Sequence, residues 1–267
     1  MRGWRRLFGS AALALALAAQ APAPRLEQGG NAPITASVPD DPELTQVIAP
    51  LAAEIQASYG RVLAQAPDGM ARFQGPGEFP LGFLLADVMR AGAAAAVGGE
   101  VRLALTNAGG IRRNLPAGPV HVGDLYEVVP FDDELVVAEY TGAQVLAIVR
   151  EAIRRKGGEP VSGVRVAAAG PLNRPQVTVS WSDGTAIDSA ASYRVATTDY
   201  LLANGDATPT LKRGRNVVLT SLPVRQLLID WCATRGREGH LIEAPEGGRY
   251  QFSPELAAAI RARMHRY

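Results

Sequence analysis

Residues 134–158 read Glu134-Leu-Val-Val-Ala-Glu-Tyr140, then Thr141-Gly-Ala-Gln-Val-Leu-Ala-Ile-Val-Arg-Glu-Ala-Ile-Arg-Arg155, then Lys156-Gly157-Gly158. The first seven residues carry the β-branched and aromatic content of a strand. From Thr141 to Arg155 the pattern is that of a helix, with Thr141 placed as its N-cap and the glycine pair as its stop. A strand feeding directly into a capped helix is the building step of an α/β domain.

Outward from this unit the same alternation continues. Short β-type runs are predicted at Val101–Thr106, Gly163–Ala167, Gln176–Trp181 and Tyr193–Thr198. Helical spacing appears from Glu43 to Gln65, where Leu44, Val47, Ile48, Leu51, Ile55 and Leu63 recur, and again from Leu81 to Ala96. Further helices are predicted at Ser221–Thr234 and Ser253–His265. Strands interspersed with helices predict an α/β fold of layered helices and a mixed sheet.

Composition narrows the class. The 267 residues, 47% of them apolar, suffice for a sizeable core, and the formal net charge is only +1. Arg2, Arg5 and Arg6 lie in an N-terminal leader, so the remainder is slightly acidic. Such a surface argues against a nucleic-acid polymer or an anionic membrane as partner. The leader places these arginines before an apolar run from Leu7 to Ala19 and the small residues Ala19-Gln20-Ala21, the order of a secretory signal peptide. We expect a signal peptide over residues 1–21, cut between 18 and 23, a linker over 22–40, and one domain over 41–267. The apolar run is too short to span a bilayer and no cysteine closes it, so the expected mature protein has no membrane anchor and is periplasmic or secreted. The single cysteine, Cys232, lies in an apolar helical stretch and reads as a small buried hydrophobe.

Four loop segments carry the functional reading. Thr106-Asn107-Ala108-Gly109-Gly110-Ile111-Arg112-Arg113 follows a strand; its glycines allow a tight turn, and an arginine can offer a forked donor to a phosphate or sugar oxygen. Gly123 to Glu134 contains Pro130 followed at once by the aromatic Phe131. Val161-Ser162-Gly163-Val164 is a turn into a strand, and Thr197 to Asp206 ends a strand, presents Tyr200 and closes in Asn204-Gly205-Asp206. Taken singly, each is an ordinary structural turn.

In this order and spacing they resemble the C-terminal domain of the 5'-nucleotidase / UDP-sugar hydrolase family, from about Asp41 to Gly236. The closest blocks are Asn107–Arg112, Gly123–Phe131, Thr141–Gln144 and Tyr193–Asp206. The resemblance implies that Phe131 and Tyr200 sandwich a nucleobase and that Asp206 accepts hydrogen bonds from the ribose. It implies that Asn107 and Arg112 contact base, sugar or phosphate, and it adds Gly163 and, at a longer spacing than in the family, Arg72 to the substrate-binding set. Asp132-Asp133 stand where the family commonly has Gly-Asn, and Ala207 where it has glycine. A carboxylate at the base edge would favour guanine, which presents adjacent donors; alternatively both aspartates face solvent.

Full-length members carry a metallophosphatase domain whose two divalent ions activate water. Here the histidines are His121, His240 and His265, widely separated, with no Asp-x-His, Gly-Asn-His or Gly-x-Ser-x-Gly segment. We therefore expect no catalytic residue, no metal site and no cofactor in this chain, with divalent metals confined to a partner. Two readings follow: the nucleotide-recognition half of a phosphohydrolase working in nucleotide catabolism with a separately encoded metallophosphatase, or a non-catalytic periplasmic nucleotide- or nucleoside-binding protein.

Overall fold

The computed structural model describes residues 33–206 and 208–264. The leader lies outside them, as does the linker before residue 33. The chain divides into two units, residues 1–49 and 50–267. The first holds the start of helix α1 (Pro42–Tyr59), where the Asp41 carboxylate accepts from the amides of Glu43 and Leu44 and caps the helix.

The second unit continues with β1 (Val62–Ala66), α2 (Pro80–Val97), β2 (Leu103–Leu105), β3 (Gly118–His121), α3 (Val122–Val128) and β4 (Glu134–Thr141). It proceeds through α4 (Gly142–Lys156), β5 (Val161–Ser162), β6 (Val164–Ala169), β7 (Gln176–Trp181), β8 (Ser192–Thr198) and α5 (Asp199–Asn204). It closes with β9 (Arg215–Pro223), α6 (Val224–Arg237), β10 (Tyr250–Phe252) and α7 (Pro254–Met264).

The unit quoted first forms as its sequence requires. The Thr141 side chain accepts from the Gln144 amide while the Gln144 side chain accepts from the Thr141 amide, and Gly157 ends α4 at φ 80°. The architecture is the expected layered α/β fold with a mixed sheet. Five strands run in the order β5-β2-β8-β4-β9, with β2 and β8 parallel and the other pairs antiparallel. A smaller sheet, β10-β6-β7, and the antiparallel pair β1-β3 complete the unit.

Both faces of the five-stranded sheet are buried except along the edge strand β9, and strand alternation sorts the residues of the others between two cores. Ala104, Leu135, Val137 and Ala196 join α2, α3 and α6 in one core; Leu103, Leu105, Tyr140 and Val195 join α4 and the small sheet in the other. Cys232 lies buried in the first, and burial pushes its thiol up to about 12.

Two boundaries differ from the sequence reading. The expected helix 43–65 stops at Tyr59, and Leu63, counted in the helical stripe, is a buried residue of β1 paired to β3. Pairing with a distant strand outweighs local periodicity there, and none of the residues of α1 is buried. The helix expected from Ser221 begins at Val224, because residues 215–223 form an edge strand against β4. Its run Val217-Val218-Leu219 is largely exposed, so it offers little of the alternation that announces a strand.

Candidate functional site

Strand direction gathers all the expected residues but Gly163. Because β2 and β8 run parallel, the turn after β2 (Asn107 to Arg112) and α5 after β8 emerge at the same edge of the sheet. Because β4 is antiparallel to β8, with Leu135 opposite Thr198, the segment before β4 that holds Phe131 reaches that edge too. Likewise β5 pairs Val161 with Leu105, so residues 157–160 arrive there, and β9 pairs Pro223 with Glu134, which brings in the start of α6.

Two groups of side chains form at this edge. In the first, the Arg112 guanidinium lies 5.1 Å from the centre of the Phe131 ring, and Arg72 Nη1 donates to the Arg112 carbonyl over 3.2 Å. Arg72 is further fixed by its amide, which donates to Asn114 Oδ1. Arg225 of α6 donates to the Val129 and Phe131 carbonyls, pairs with Asp132 and covers the Tyr126 ring at 4.1 Å. Phe131 is thus held by its backbone while the residue as a whole remains 40% exposed.

Tyr200, 46% exposed, sits in the first turn of α5. Asp199 Oδ1 accepts from the Tyr200 amide and from the Glu134 amide at the start of β4, which ties the Tyr200 turn to the end of the Phe131 segment. Burial, with Asp199 and Asp132 nearby, raises the pKa of Asp133. Of the two aspartates, Asp132 is engaged by Arg225 and strongly exposed, whereas Asp133 is half-buried.

The second group is built on charge. Asn107 precedes a 3-10 turn, Ala108–Gly110, whose first amide donates to Glu159 Oε2 over 2.6 Å. Lys156 Nζ stands 3.3 Å from Glu159 Oε1 and 2.6 Å from Asp206 Oδ2, and Arg155 Nη1 donates to the Asp206 carbonyl. Burial pushes Glu159 up to about 7 against the pull of Lys156 and the Ala108 amide. Burial also works against the charge on Lys156, but Glu159 and Asp206 outweigh it and its pKa is raised.

Gly163 lies apart from these groups. It follows β5 toward the other end of β2, where a Cβ would stand 2.0 Å from the Arg102 carbonyl oxygen, and its φ is 95°. The backbone alone requires glycine there. It lines a polar cavity with Asp87, Arg90 and Arg249. A larger cavity, about 390 Å³, is lined by Phe79, Ala108, Leu172 and Ile260 with Lys156, Glu159 and Arg263, and includes none of the seven residues selected from the sequence.

The model of the family described as 5'-nucleotidase, C-terminal domain, matches residues 60–213. The chain belongs to this family. Among curated relatives, the trifunctional nucleotide phosphoesterase protein YfkN of Bacillus subtilis is 33% identical over 153 residues, covering 53% of this chain and 10% of that protein. The 5'-nucleotidase precursor of Thermus thermophilus superposes with a TM-score of 0.67 at 27% identity, over 82% of this chain and 44% of the other. The NAD nucleotidase of Haemophilus influenzae gives 0.60 at 20% identity, over 80% and 41%, a likeness of fold alone. The chain thus spans less than half the length of these relatives. Among the described residues no group of three or more His, Cys, Asp or Glu is disposed to hold a metal ion.

Lys156, Glu159, Asp199 and Arg225 were missed in the sequence. Lys156 and Glu159 flank the helix-stop glycines, and such charges at a helix end ordinarily read as a solvated terminus. Their partners Asp206 and Ala108 lie 50 and 51 residues away along the chain, beyond any local pattern.

Proposed function

We propose that this chain is the nucleotide-recognition part of a 5'-nucleotidase-type phosphohydrolase, exported to the periplasm and acting in nucleotide catabolism beside a metallophosphatase on another polypeptide. The observation that carries the reading is the pair of half-exposed aromatics, Phe131 and Tyr200, on backbone-anchored turns at one sheet edge, with Arg112 beside one ring. Aromatic faces kept in water are costly unless something flat covers them, and a nucleobase gains about 1–3 kcal/mol per stack. Asn107, Arg72 and Arg112 supply donors for sugar or phosphate oxygens, and Asp206 supplies a carboxylate acceptor for ribose hydroxyls. In this reading the partner's metal ions activate the water, and this chain contributes binding and orientation.

Calorimetry with AMP, followed by phosphate-release assays of the purified chain with Mn²⁺, Zn²⁺ or Co²⁺, tests the proposal. The chain is expected to bind AMP and to release no phosphate from AMP or UDP-glucose unless a metallophosphatase is added. Metal-dependent turnover by the chain alone would overturn the division of labour. Binding with no effect on any added metallophosphatase would make it a non-catalytic nucleotide-binding protein.

A further inference from the structure

Glu159 is 1% exposed, yet it is not an idle buried acid. One carboxylate oxygen accepts from the Ala108 amide, the first amide after Asn107; the other faces Lys156 Nζ at 3.3 Å. The same ammonium reaches Asp206 at 2.6 Å. A single line therefore runs from the Asn107 turn through Glu159 and Lys156 to Asp206, joining the turns that follow two neighbouring parallel strands. Asp206 also occupies a left-handed conformation, φ 38°, that is uncommon for a residue with a side chain and is kept here by the contacts around it.

We propose that Lys156 and Glu159 are positioning residues for ligand binding: they lock the Asn107 turn and the Asp206 turn to one another and fix which oxygen of Asp206 meets the ligand. The assignment rests on the nucleotide reading above. With Oδ2 held by Lys156, Oδ1 is the oxygen left to accept from ribose hydroxyls. Without the cation, the Glu159 and Asp206 carboxylates would repel across the gap that Lys156 now fills, and the strained Asp206 turn would relax.

The charged and titratable groups around Glu159 are Lys156 from α4 and Asp206 from the turn after α5. Tyr250 of β10 exchanges hydrogen bonds with the Glu159 backbone, and Arg155 and Arg263 line the adjoining cavity. Glu159, pushed up to about 7 by burial, is the carboxylate among them placed to change charge near neutrality. Its protonation would release its hold on Lys156, so ligand affinity should fall as pH drops from 8 to 6. Adenosine suits this measurement, because AMP carries a phosphate that itself titrates near pH 6.

The experiment is titration calorimetry of the full chain with AMP and with adenosine, on wild type, Lys156→Met, Lys156→Arg, Glu159→Gln, Asp206→Ala and the double variant Lys156→Met/Asp206→Ala. Thermal melts of each verify folding. Lys156→Met is expected to weaken both ligands about tenfold, with Lys156→Arg restoring most of the loss. In the Asp206→Ala background the same change should add little, because its effect passes through Asp206. Glu159→Gln, which keeps an acceptor for Ala108, should weaken binding less at pH 8 and flatten the adenosine profile between pH 6 and 8. Wild-type binding with folded Lys156→Met and Glu159→Gln variants unchanged would overturn the positioning role and leave the nucleotide reading standing. Failure of the wild type to bind either ligand would overturn the nucleotide reading, and the positioning role with it.

Discussion

Phe83 and Tyr250 differ from Phe131 and Tyr200 in everything but chemistry. The first pair stacks at 6.5 Å inside the core, 0% and 4% exposed, with Phe79 set edge-on to both. The Tyr250 hydroxyl is consumed by the Glu159 carbonyl at 2.6 Å, and the Arg249 guanidinium covers Phe83 at 4.6 Å. The second pair is anchored by backbone hydrogen bonds near its rings, at Phe131 O and Tyr200 N, and presents those rings to solvent. Aromatics of the first kind hold the fold together; those of the second kind are held by the fold. Under the proposed function, the difference separates a residue whose loss should be felt as instability from one whose loss should be felt as weakened binding.

The comparison breaks most visibly at Phe83. Phe83→Ala should cost about 3–5 kcal/mol of stability, measured by denaturant unfolding, because a fully buried ring leaves a cavity. A loss below about 1 kcal/mol would mean that the core is not packed as described. Next is Gly163, whose alanine variant must bear a left-handed φ worth about 1–3 kcal/mol as well as the clash with the Arg102 carbonyl. If Gly163→Ala is destabilised yet binds AMP normally when folded, its role is in the backbone; a stable variant with lost affinity would return it to the ligand site.

Phe131→Ala and Tyr200→Ala should each weaken AMP binding by about 1–3 kcal/mol, with Tyr200→Phe close to wild type. Their unfolding free energies should stay within about 0.5 kcal/mol of wild type, as expected for exposed side chains. Calorimetry that shows unchanged affinity in both alanine variants would place these rings with Phe83 as structural residues. The smallest expected effect is at Thr141, where alanine removes the α4 cap at a cost of about 1 kcal/mol in stability and leaves AMP affinity alone.

Much of this was legible because it is local. The strand Glu134–Tyr140, the Thr141 cap and the Gly157 stop are written within 25 consecutive residues and appear in the fold within one residue of the reading. The four ordered loop segments also carried the family. Edge strand 215–223 was illegible, because a strand exposed on most of its residues shows little alternation. The helical stripe that ran on to Leu63 misled, because the spacing of Ile55 and Leu63 fits a helix equally well when a strand has already begun.

The sequence by itself determined most of the element types, the caps, the α/β class and the candidate set proposed to meet a nucleotide, since these depend on propensity, periodicity and side-chain chemistry over short spans. Only the tertiary structure decided which of those residues share an edge, and that Gly163 does not lie with the rest. It alone brought Lys156 between Glu159 and Asp206. The reason is that strand order and direction, with β2 parallel to β8 and β4 antiparallel beside it, convert sequence separations of about fifty residues into distances of about three ångströms. No pattern confined to a dozen residues contains that information.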